Sequence, residues 1–576
     1  MSQLISRRKL LGHGLKAGVG LTVLKQLGPI EVLAFSSQAT PQASAFNAVY
    51  QKLDEFIARH MQETGAPGMT LALASRDGLL RISQYGYADV KAGHRVGPQT
   101  MFQIGSISKS FVGVALLQAA EEEKVELHKP IVEYLPWVKI NSEFPPITAH
   151  HLLSHTAGLS GVPLLMRVAA TPLRTGWAPG TRFLYSNIGY VLLGYLLEAV
   201  DKRPFAESIR KRILEPLDMR STEPTITNAI RERLAIGYAP LYPDRPFPLR
   251  GRIAEAPWTE VAEAAGSIAS TPGDMVAYMK MLLNRGAGPR RRVLSENSFE
   301  LLVQPVIKAP FRGEEATYGY GLWSSDVNRH QLLRHTGGMV AFSSSMYVDM
   351  TSGFAAFASV NANLQGYRPV IVTRYALDLL NAAVANEPLP PLPPAPPSPE
   401  IVKNAADYAG TYTSSDGRKL VLVANGERLL LDHQGQKIVL ELAGRDRFIV
   451  KHAAFDRFAL GFGREGPVVV EAYHGGDWWT NERYTGPKTF DYPKTWDAYV
   501  GRFHADSPWY GSTRLVIRKG KLMFEGEAPL AEIQPGVFRF DGNPIGLERI
   551  TFDTMIDGKA IHMNFSGIDS YRTYTP

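Results

Sequence analysis

A run of prolines divides this chain, because a segment so rich in proline cannot fold as a helix or as the centre of a sheet. Residues 387–400 consist mostly of proline. Such a run adopts polyproline II at about 3.1 Å per residue, which makes it a semi-rigid spacer of roughly 40 Å when fully extended. We therefore predict a linker at residues 387–400, preceded by a large domain at residues 44–386.

Beyond the linker, the sequence repeats a β-rich pattern. Residues 406–412 parallel residues 497–503, and each copy continues into a strand-like run and a glycine turn. Many short strands separated by glycine turns are typical of antiparallel barrels, which leave no open sheet edge. We predict two small antiparallel β-barrel domains, at residues 401–492 and 493–576.

The region before the linker has strand-like runs at both ends and helical or irregular segments in the middle. This order predicts an α+β domain, in which an antiparallel sheet is assembled from both ends and carries a helical insertion. With 576 residues and 45% hydrophobic content, the chain can form several cores. The strand-like runs are residues 69–74, 79–87, 331–335, 343–348 and 353–360.

The main chemical motif is Ser106-Ile107-Ser108-Lys109. A serine and a lysine three positions apart on a helix have Cβ atoms about 5–6 Å apart, so the amine can take the hydroxyl proton. Ser6 and Ser208 begin the same Ser-x-x-Lys pattern, but only Ser106 precedes a mostly apolar run that predicts a buried helix. We expect Ser106 at a helix N-terminus, where the helix dipole and free N–H groups favour negative charge.

Tyr185-Ser186-Asn187 is the second motif and the only Tyr-x-Asn in the chain. It precedes an apolar, helix-like run at residues 188–197. A phenol beside a lysine ammonium can have its proton affinity lowered enough to shuttle protons, and an asparagine amide can orient the lysine and hold a substrate carbonyl. The alternative is a tyrosine packed in the core beside a helix-capping asparagine.

His335-Thr336-Gly337-Gly338 is the third motif. A strand-like run leads into it, and glycines on a strand beside a site let a substrate backbone approach closely. The alternative is a plain strand end that turns at two glycines.

Taken in this order, Ser-x-x-Lys, Tyr-x-Asn and His-x-Gly resemble the motifs of the penicillin-recognising serine hydrolases. That family includes class C β-lactamases, D,D-peptidases, D-aminopeptidases and related esterases. Residues 152–159 and 265–275 also look like this family, so the resemblance covers roughly residues 45–385. It implies a β-lactamase/transpeptidase-like first domain. D-aminopeptidase-like members carry two barrels behind the catalytic domain, so the resemblance is closest to that branch.

The resemblance implies a role for each matching residue. Ser106 would be the nucleophile, Lys109 its general base, and Tyr185 the proton relay to the leaving group and to the deacylating water. Asn187 would organise the polar groups of the site. Backbone N–H groups of Ser106 and Gly338 would form the oxyanion hole, whose loss typically costs about 10²–10³ in rate.

His335 departs from the family pattern, because β-lactamases and D,D-peptidases of this type usually have lysine there. Histidine titrates near pH ~6.5 and lysine near about 10.4, so His335 does not guarantee a permanent cation for a substrate carboxylate. The triplet that ends at Gly337 looks more like that of the D-aminopeptidase branch and some esterases. Arg334 is not expected to compensate, since neighbouring strand residues face opposite sides.

We therefore expect a serine hydrolase that forms an acyl-enzyme on Ser106 with amide or ester substrates, of D-aminopeptidase or D,D-peptidase type. A short-chain esterase and a β-lactamase are alternatives within the enzyme class. The β-lactamase is less favoured, because the missing lysine weakens the capture of a substrate carboxylate. From another class, the chain could be a non-catalytic, cell-wall-binding protein that uses the pocket as a receptor. The expected partner is a small-molecule or peptide substrate, with no cofactor, and the sequence does not decide the oligomeric state.

The N-terminus indicates export. Residues 6–11 resemble the twin-arginine signal, and the weakly apolar stretch after them is too short and too charged to span a bilayer well. We predict a signal at residues 1–43, with a small-residue cleavage site at residues 43–45 or 37–39. The protein would then be periplasmic or secreted, without a stable membrane span. A basic leader that stays attached is the alternative.

Charge and histidine content favour no further ligand. The net charge of +7 is small for this length, so we expect no nucleic-acid partner. His150, His151 and His155 include an i, i+4 pair that could bind zinc, but no third ligand is evident and we expect no metal site. Trp478-Trp479 in the first barrel could be a loop that reaches the active site or a carbohydrate platform, although ordinary barrel core is the favoured interpretation.

Overall fold

The computed structural model of the chain describes residues 33–35, 46–161, 173–543 and 546–574. The twin-arginine motif and both candidate cleavage sites lie outside the described residues. The predicted architecture is confirmed: an α+β domain is followed by two closed antiparallel barrels.

Helices surround the sheet of the first domain and recur once after the linker. A 3₁₀ turn, Gly105–Ile107, lies directly before α2, and another, Lys494–Ala498, lies before the second barrel. The α-helices of the described residues are α1 (Asn47–Thr64), α2 (Ser108–Glu121), α3 (Ile131–Tyr134), α4 (Ala149–Leu153), α5 (Asn187–Asp201), α6 (Phe205–Ile209), α7 (Pro272–Leu283), α8 (Glu296–Val303), α9 (Val370–Val384) and α10 (Ala405–Tyr408).

The first domain is built on a ten-stranded sheet in which every neighbouring pair is antiparallel. Its order is β1-β3-β2-β16-β15-β14-β13-β12-β11, with β4 beside β3, so strands from both ends of the domain meet at the centre, as predicted. The strands of this domain are β1 (Leu33–Phe35), β2 (Gly68–Ser75), β3 (Leu79–Asp89), β4 (His94–Arg95), β5 (Phe102–Gln103), β6 (Ile140–Asn141), β7 (Leu173–Arg174), β8 (Tyr238–Pro240), β9 (Ile253–Glu255), β10 (Ala269–Ser270), β11 (Ile307–Lys308), β12 (Thr317–Tyr318), β13 (Trp323–Val327), β14 (His330–Gly338), β15 (Ser343–Asp349) and β16 (Phe354–Val360).

Both faces of the central strands are covered. Strands β2, β15 and β16 are buried along their whole length. Because side chains alternate across a strand, Leu71 packs with α1 and α9 on one face, and its neighbour Ala72 packs with α2, α5 and α7 on the other. The inserted helices therefore form one wall of the core, and α2, which follows Ser106, is almost wholly inside it.

The proline run contains no helix or strand over residues 387–398. It differs from the extended spacer that composition suggests, because it lies along the first domain. Lys52 Nζ donates to the carbonyl of Leu389 at 3.3 Å, and the side chains of Leu389 and Leu392 pack against the cluster between α1 and α9. The linker is thus fixed to the domain surface.

Two closed barrels of eight strands each follow the linker, as the repeat predicts. Trp479 packs in the core of the first barrel, whereas the indole N–H of Trp478 donates to Glu471 at 2.6 Å. The first barrel consists of β17 (Gly410–Thr413), β18 (Lys419–Asn425), β19 (Arg428–His433), β20 (Gln436–Gly444), β21 (Arg447–Val450), β22 (Leu460–Glu465), β23 (Val468–His474) and β24 (Asp477–Thr480). The second consists of β25 (Gly501–His504), β26 (Ser512–Arg518), β27 (Lys521–Phe524), β28 (Ala528–Gln534), β29 (Val537–Phe540), β30 (Ile550–Ile556), β31 (Lys559–Phe565) and β32 (Ile568–Thr573).

No helix of the described residues combines the length and the apolar character that a membrane span requires.

Candidate active site

Ser106 lies in the 3₁₀ turn that leads directly into α2, at the helix N-terminus where the sequence predicts it. Gly105 has a φ of 55°, in the left-handed region that favours glycine. A Cβ on Gly105 would also lie 2.7 Å from the backbone nitrogen of Gly338, at the end of β14. Glycine at position 105 therefore lets the turn that carries Ser106 lie directly against that strand end.

Lys109 is fully buried one helical turn after Ser106. Its Nζ lies 3.1 Å from Ser106 Oγ, 2.8 Å from Asn187 Oδ1 and 2.7 Å from the carbonyl oxygen of Ala265. Burial holds the pKa of Lys109 well below its ordinary value, and no carboxylate of the described residues pairs with it. In its neutral form the amine has two hydrogens, which the Asn187 side chain and the Ala265 carbonyl can accept. Its lone pair is then free to take the hydroxyl proton of Ser106.

Tyr185 contacts the same hydroxyl, because its phenol hydrogen bonds with Ser106. Its ring centre lies 4.9 Å from Lys109 Nζ. The expectation that the neighbouring lysine lowers the proton affinity of this phenol is wrong: burial, the largest effect, raises the pKa of Tyr185. Tyr185 is thus a protonated relay that can donate to a leaving group.

Asn187 is the first residue of α5, which runs further than the predicted 188–197. The helix-capping alternative does not describe it, since the side chain of Ser186 caps the helix by accepting from Gly189 N–H at 3.3 Å. The Asn187 amide instead bonds to Lys109. The structure therefore brings Ser106, Lys109, Tyr185 and Asn187 together in one cluster.

His335 lies on β14 at the edge of this cluster and is 1% exposed. Its Nδ1 donates to the carbonyl of Thr336 at 2.7 Å, and its Nε2 lies 3.3 Å from the Tyr318 hydroxyl. Burial lowers the pKa of His335 to about 3, so the imidazole is neutral at physiological pH. His335 does not replace the charge of a lysine. Arg334 faces away, as expected, and pairs with Glu314 at 2.6 Å.

Close packing requires glycine at position 337, whereas Gly338 borders the flexible end of an arginine side chain. A Cβ on Gly337 would overlap the carbonyl oxygen of Ile104, which belongs to the backbone before Ser106. A Cβ on Gly338 would overlap the guanidinium of Arg368. The two glycines therefore contact the turn that carries Ser106 on one side and the Arg368 cation on the other. The alternative of a plain strand end that turns at two glycines does not describe these contacts.

Arg368 is a site residue that the sequence motifs miss. It lies between β16 and α9 and lines the same cavity as Ser106 and Gly338. Nη1 donates to the carbonyl of Tyr367 at 2.6 Å, and no carboxylate of the described residues pairs with the guanidinium. Burial lowers the pKa of Arg368 to about 10, which leaves it charged at neutral pH. The sequence contains one indirect signal of such a residue: position 335 is a histidine where the resemblance implies a lysine, so a cation would have to come from another position.

The cavity in front of Ser106 has a volume of about 490 Å³. Val261, Trp323 and Met339 form an apolar wall, and Trp509 reaches it from the second barrel. Glu263 also lines the cavity, and burial raises its pKa to about 7. The pocket thus combines a nucleophile, one fixed cation and an apolar wall that includes a residue of another domain.

The three histidines considered as zinc ligands have other contacts. His150 Nδ1 lies 2.7 Å from the Tyr320 hydroxyl, and His151 closes the N-terminal cap of α4. His155 Nδ1 accepts from the N–H of Ser186 at 3.0 Å, beneath the ring of Tyr185. Among the described residues, no group of three or more histidine or acidic side chains could hold a metal ion.

Comparison with known proteins relates this geometry to one family. The Beta-lactamase family matches residues 53–380. A Beta-lactamase from Yersinia enterocolitica is 30% identical over 230 residues, which are 38% of this chain and 56% of that protein. Protein flp from Staphylococcus aureus is 26% identical over 351 residues, 58% of this chain and 67% of that protein. The match thus spans little more than half the length of the Yersinia relative.

A solved structure has the same fold. The octameric penicillin-binding protein homologue from Pyrococcus abyssi superposes with a TM-score of 0.53 at 23% identity, over 75% of this chain and 98% of that chain. At this identity, the likeness concerns the fold alone.

Proposed function

This chain belongs to the Beta-lactamase family of serine hydrolases, and from that premise we propose that it cleaves an amide or ester bond through an acyl-enzyme on Ser106. One observation carries the proposal: the buried Lys109 amine, whose pKa burial lowers, lies 3.1 Å from the Ser106 hydroxyl and also contacts Asn187 and the carbonyl of Ala265. A serine is a weak nucleophile until such a base removes its proton.

The cluster supports a complete proton path. Lys109 takes the Ser106 proton as Oγ attacks the carbonyl carbon, and the backbone N–H groups of Ser106 and Gly338 stabilise the oxyanion. Tyr185 donates its proton to the departing nitrogen or oxygen, and the Lys109 ammonium, which holds the former Ser106 proton, then reprotonates Tyr185. In deacylation, the same groups take a proton from water and return it to Ser106.

Arg368 supports a substrate that carries a carboxylate. It is a permanent cation beside the nucleophile, and it lies where His335 supplies no charge. Guanidinium binds carboxylate through strong, charge-assisted hydrogen bonds. Within the proposed peptidase activities, this favours a D,D-peptidase type that releases a residue with a free carboxylate over a D-aminopeptidase type.

Labelling tests the hydrolase proposal directly. A fluorophosphonate or penicillin probe should label the full chain, and mass spectrometry should locate the adduct on Ser106. Ser106→Ala should abolish labelling. Ser208→Ala is the matched control, because Ser208 begins another Ser-x-x-Lys and should leave labelling intact. A folded protein that neither probe labels would instead be the non-catalytic cell-wall-binding receptor.

A substrate panel then separates the enzymatic alternatives. It contains peptides that end in D-Ala-D-Ala, D-amino-acid amides, nitrophenyl esters and a chromogenic cephalosporin. We expect the highest kcat/KM for the carboxylate-terminated peptides. A higher kcat/KM for the amides would favour the D-aminopeptidase. A higher value for the esters would favour an esterase, and a higher value for the cephalosporin would favour a β-lactamase.

Export belongs to the proposal as well. The twin-arginine-like residues 6–11 support a periplasmic or secreted location. Fractionation of cells that express the full chain tests this location. When Arg7 and Arg8 are both changed to lysine, we expect the protein to stay in the cytoplasm.

A further inference from the structure

A second cavity lies where the first domain, the linker and both barrels meet. Its volume is about 920 Å³, nearly twice the 490 Å³ of the cavity at Ser106. Each of the four parts contributes to its wall: the first domain through Phe247, the linker through Pro396, the first barrel through Phe458 and the second barrel through Phe524. The size is within the range of about 300–1,000 Å³ typical of small-ligand sites, and no residue assigned to hydrolysis lines it.

Glu441 points into this cavity from the outer face of the first barrel. On β20 the neighbouring Leu440 packs in the barrel core, so Glu441 faces outward, yet it is only 4% exposed. One carboxylate oxygen pairs with Lys451. The other, Oε2, is buried and has no hydrogen-bond partner among the described residues. Buried acceptors are normally satisfied, so this oxygen is available to a donor on a ligand.

Two more carboxyl groups line the cavity from the second barrel. Glu525 accepts from the backbone N–H of Arg514 at 2.8 Å, and Glu527 accepts from the guanidinium of Arg447 at 2.7 Å. Burial raises the pKa of Glu525 to about 7 and also raises that of Glu527. The wall therefore offers carboxyl acceptors to the hydroxyl and amide groups of a ligand, beside arginines that also line the cavity: Arg245, Arg250, Arg447 and Arg457.

Aromatic rings form the apolar part of the wall. Phe247, Phe458, Phe524 and Phe565 line it together with Trp509, whose Nε1 is buried without a partner in the described part of the chain. A purely apolar ligand would leave Glu441 Oε2 without a donor and the indole N–H of Trp509 without an acceptor, which is costly. A saccharide satisfies both parts of the wall, since its hydroxyl and amide groups donate to carboxylates and its C–H faces cover aromatic rings.

We propose that this interdomain cavity binds an oligosaccharide of N-acetylated amino sugars. Glu441 and Glu525 accept hydrogen bonds from its hydroxyl and amide groups, Trp509 donates to an acetyl carbonyl, and the phenylalanine rings cover the sugar faces. Trp509 lines both cavities, so the two sites are neighbours. A sugar with an attached peptide could therefore reach Ser106. This extension rests on the proposed function, but the binding of the sugar itself does not.

Calorimetric titration of the full chain with the trimer of N-acetylglucosamine tests the proposal. Wild type and Ser106→Ala should bind with equal affinity at one site per chain. Glu441→Gln should weaken binding at least about ten-fold, the usual effect of losing a hydrogen bond to a charged group. Glu427→Gln is the matched control, since Glu427 is an exposed glutamate of the same barrel, and it should bind like wild type.

Several results would overturn the proposal. These are no binding by wild type at millimolar sugar, undiminished binding by Glu441→Gln, and loss of binding by Ser106→Ala, which would put the sugar in the catalytic cavity. Thermal melts check that each variant is folded. If Glu441→Gln does not fold, Trp509→Phe removes the indole donor instead and should also weaken binding. Because Ser106→Ala cannot form an acyl-enzyme, these outcomes are independent of whether the chain is a hydrolase.

Discussion

Replacing Arg368 with glutamine removes the permanent positive charge beside Ser106. If this guanidinium holds a substrate carboxylate, its loss removes a hydrogen bond between charged groups, which contributes about 1.5–3 kcal/mol. Since 1.36 kcal/mol corresponds to about ten-fold, kcat/KM should fall by roughly 10- to 150-fold for a substrate with a free carboxylate. The same substrate with a terminal carboxamide should lose less than about three-fold.

The assay compares these two substrates with wild type and Arg368→Gln under identical conditions. Arg312→Gln is the matched control, because Arg312 is an exposed arginine close enough to lower the pKa of Arg368. Solvent and salt screen an exposed charge, so this variant should change kcat/KM by less than about three-fold for either substrate.

Equal losses for the carboxylate and the carboxamide would refute the reasoning. Arg368 would then act by supporting Gly338, whose backbone packs against the guanidinium, instead of by binding substrate. Protein stability gives an independent check. Burial of the unpaired charge lowers the pKa of Arg368 to about 10, so the charged form disfavours folding and Arg368→Gln should not lower Tm.

Two predictions concern the proton path. Lys109→Ala and Tyr185→Phe should each reduce kcat on a nitrophenyl ester by at least about 10²-fold, and near-normal turnover in either would reject its role. The lowered pKa of Lys109 also predicts a pH effect: between that pKa and the ordinary 10.5, the unfolded chain binds a proton that the folded site does not. The free energy of unfolding of wild type relative to Lys109→Met should therefore rise with pH in this window. Chemical denaturation from pH 6 to 9 measures it, and a constant difference would mean that the buried amine keeps its proton.

The sequence predicts the parts of the site whose geometry is local. Ser106 and Lys109 are one helical turn apart, so their contact follows from spacing, and the barrels follow from a repeated strand and turn pattern. Arg368 and Trp509 belong to no motif, because only the packing of a loop after β16 and of the second barrel brings them to the cavity. The direction in which Tyr185 titrates was predicted wrongly for a related reason: it depends on burial.

Charge within the site bears on the histidine at position 335. Burial lowers the pKa values of Lys109 and His335 and raises that of Tyr185, so it favours the uncharged form of all three groups. A lysine at position 335 would place a second cation in the same buried volume. Its charge would lower the pKa of Lys109 further, but burying that charge would cost desolvation free energy. Arg368 instead supplies the cation from the far side of Gly338, where it attracts a carboxylate and leaves the base free to accept the serine proton.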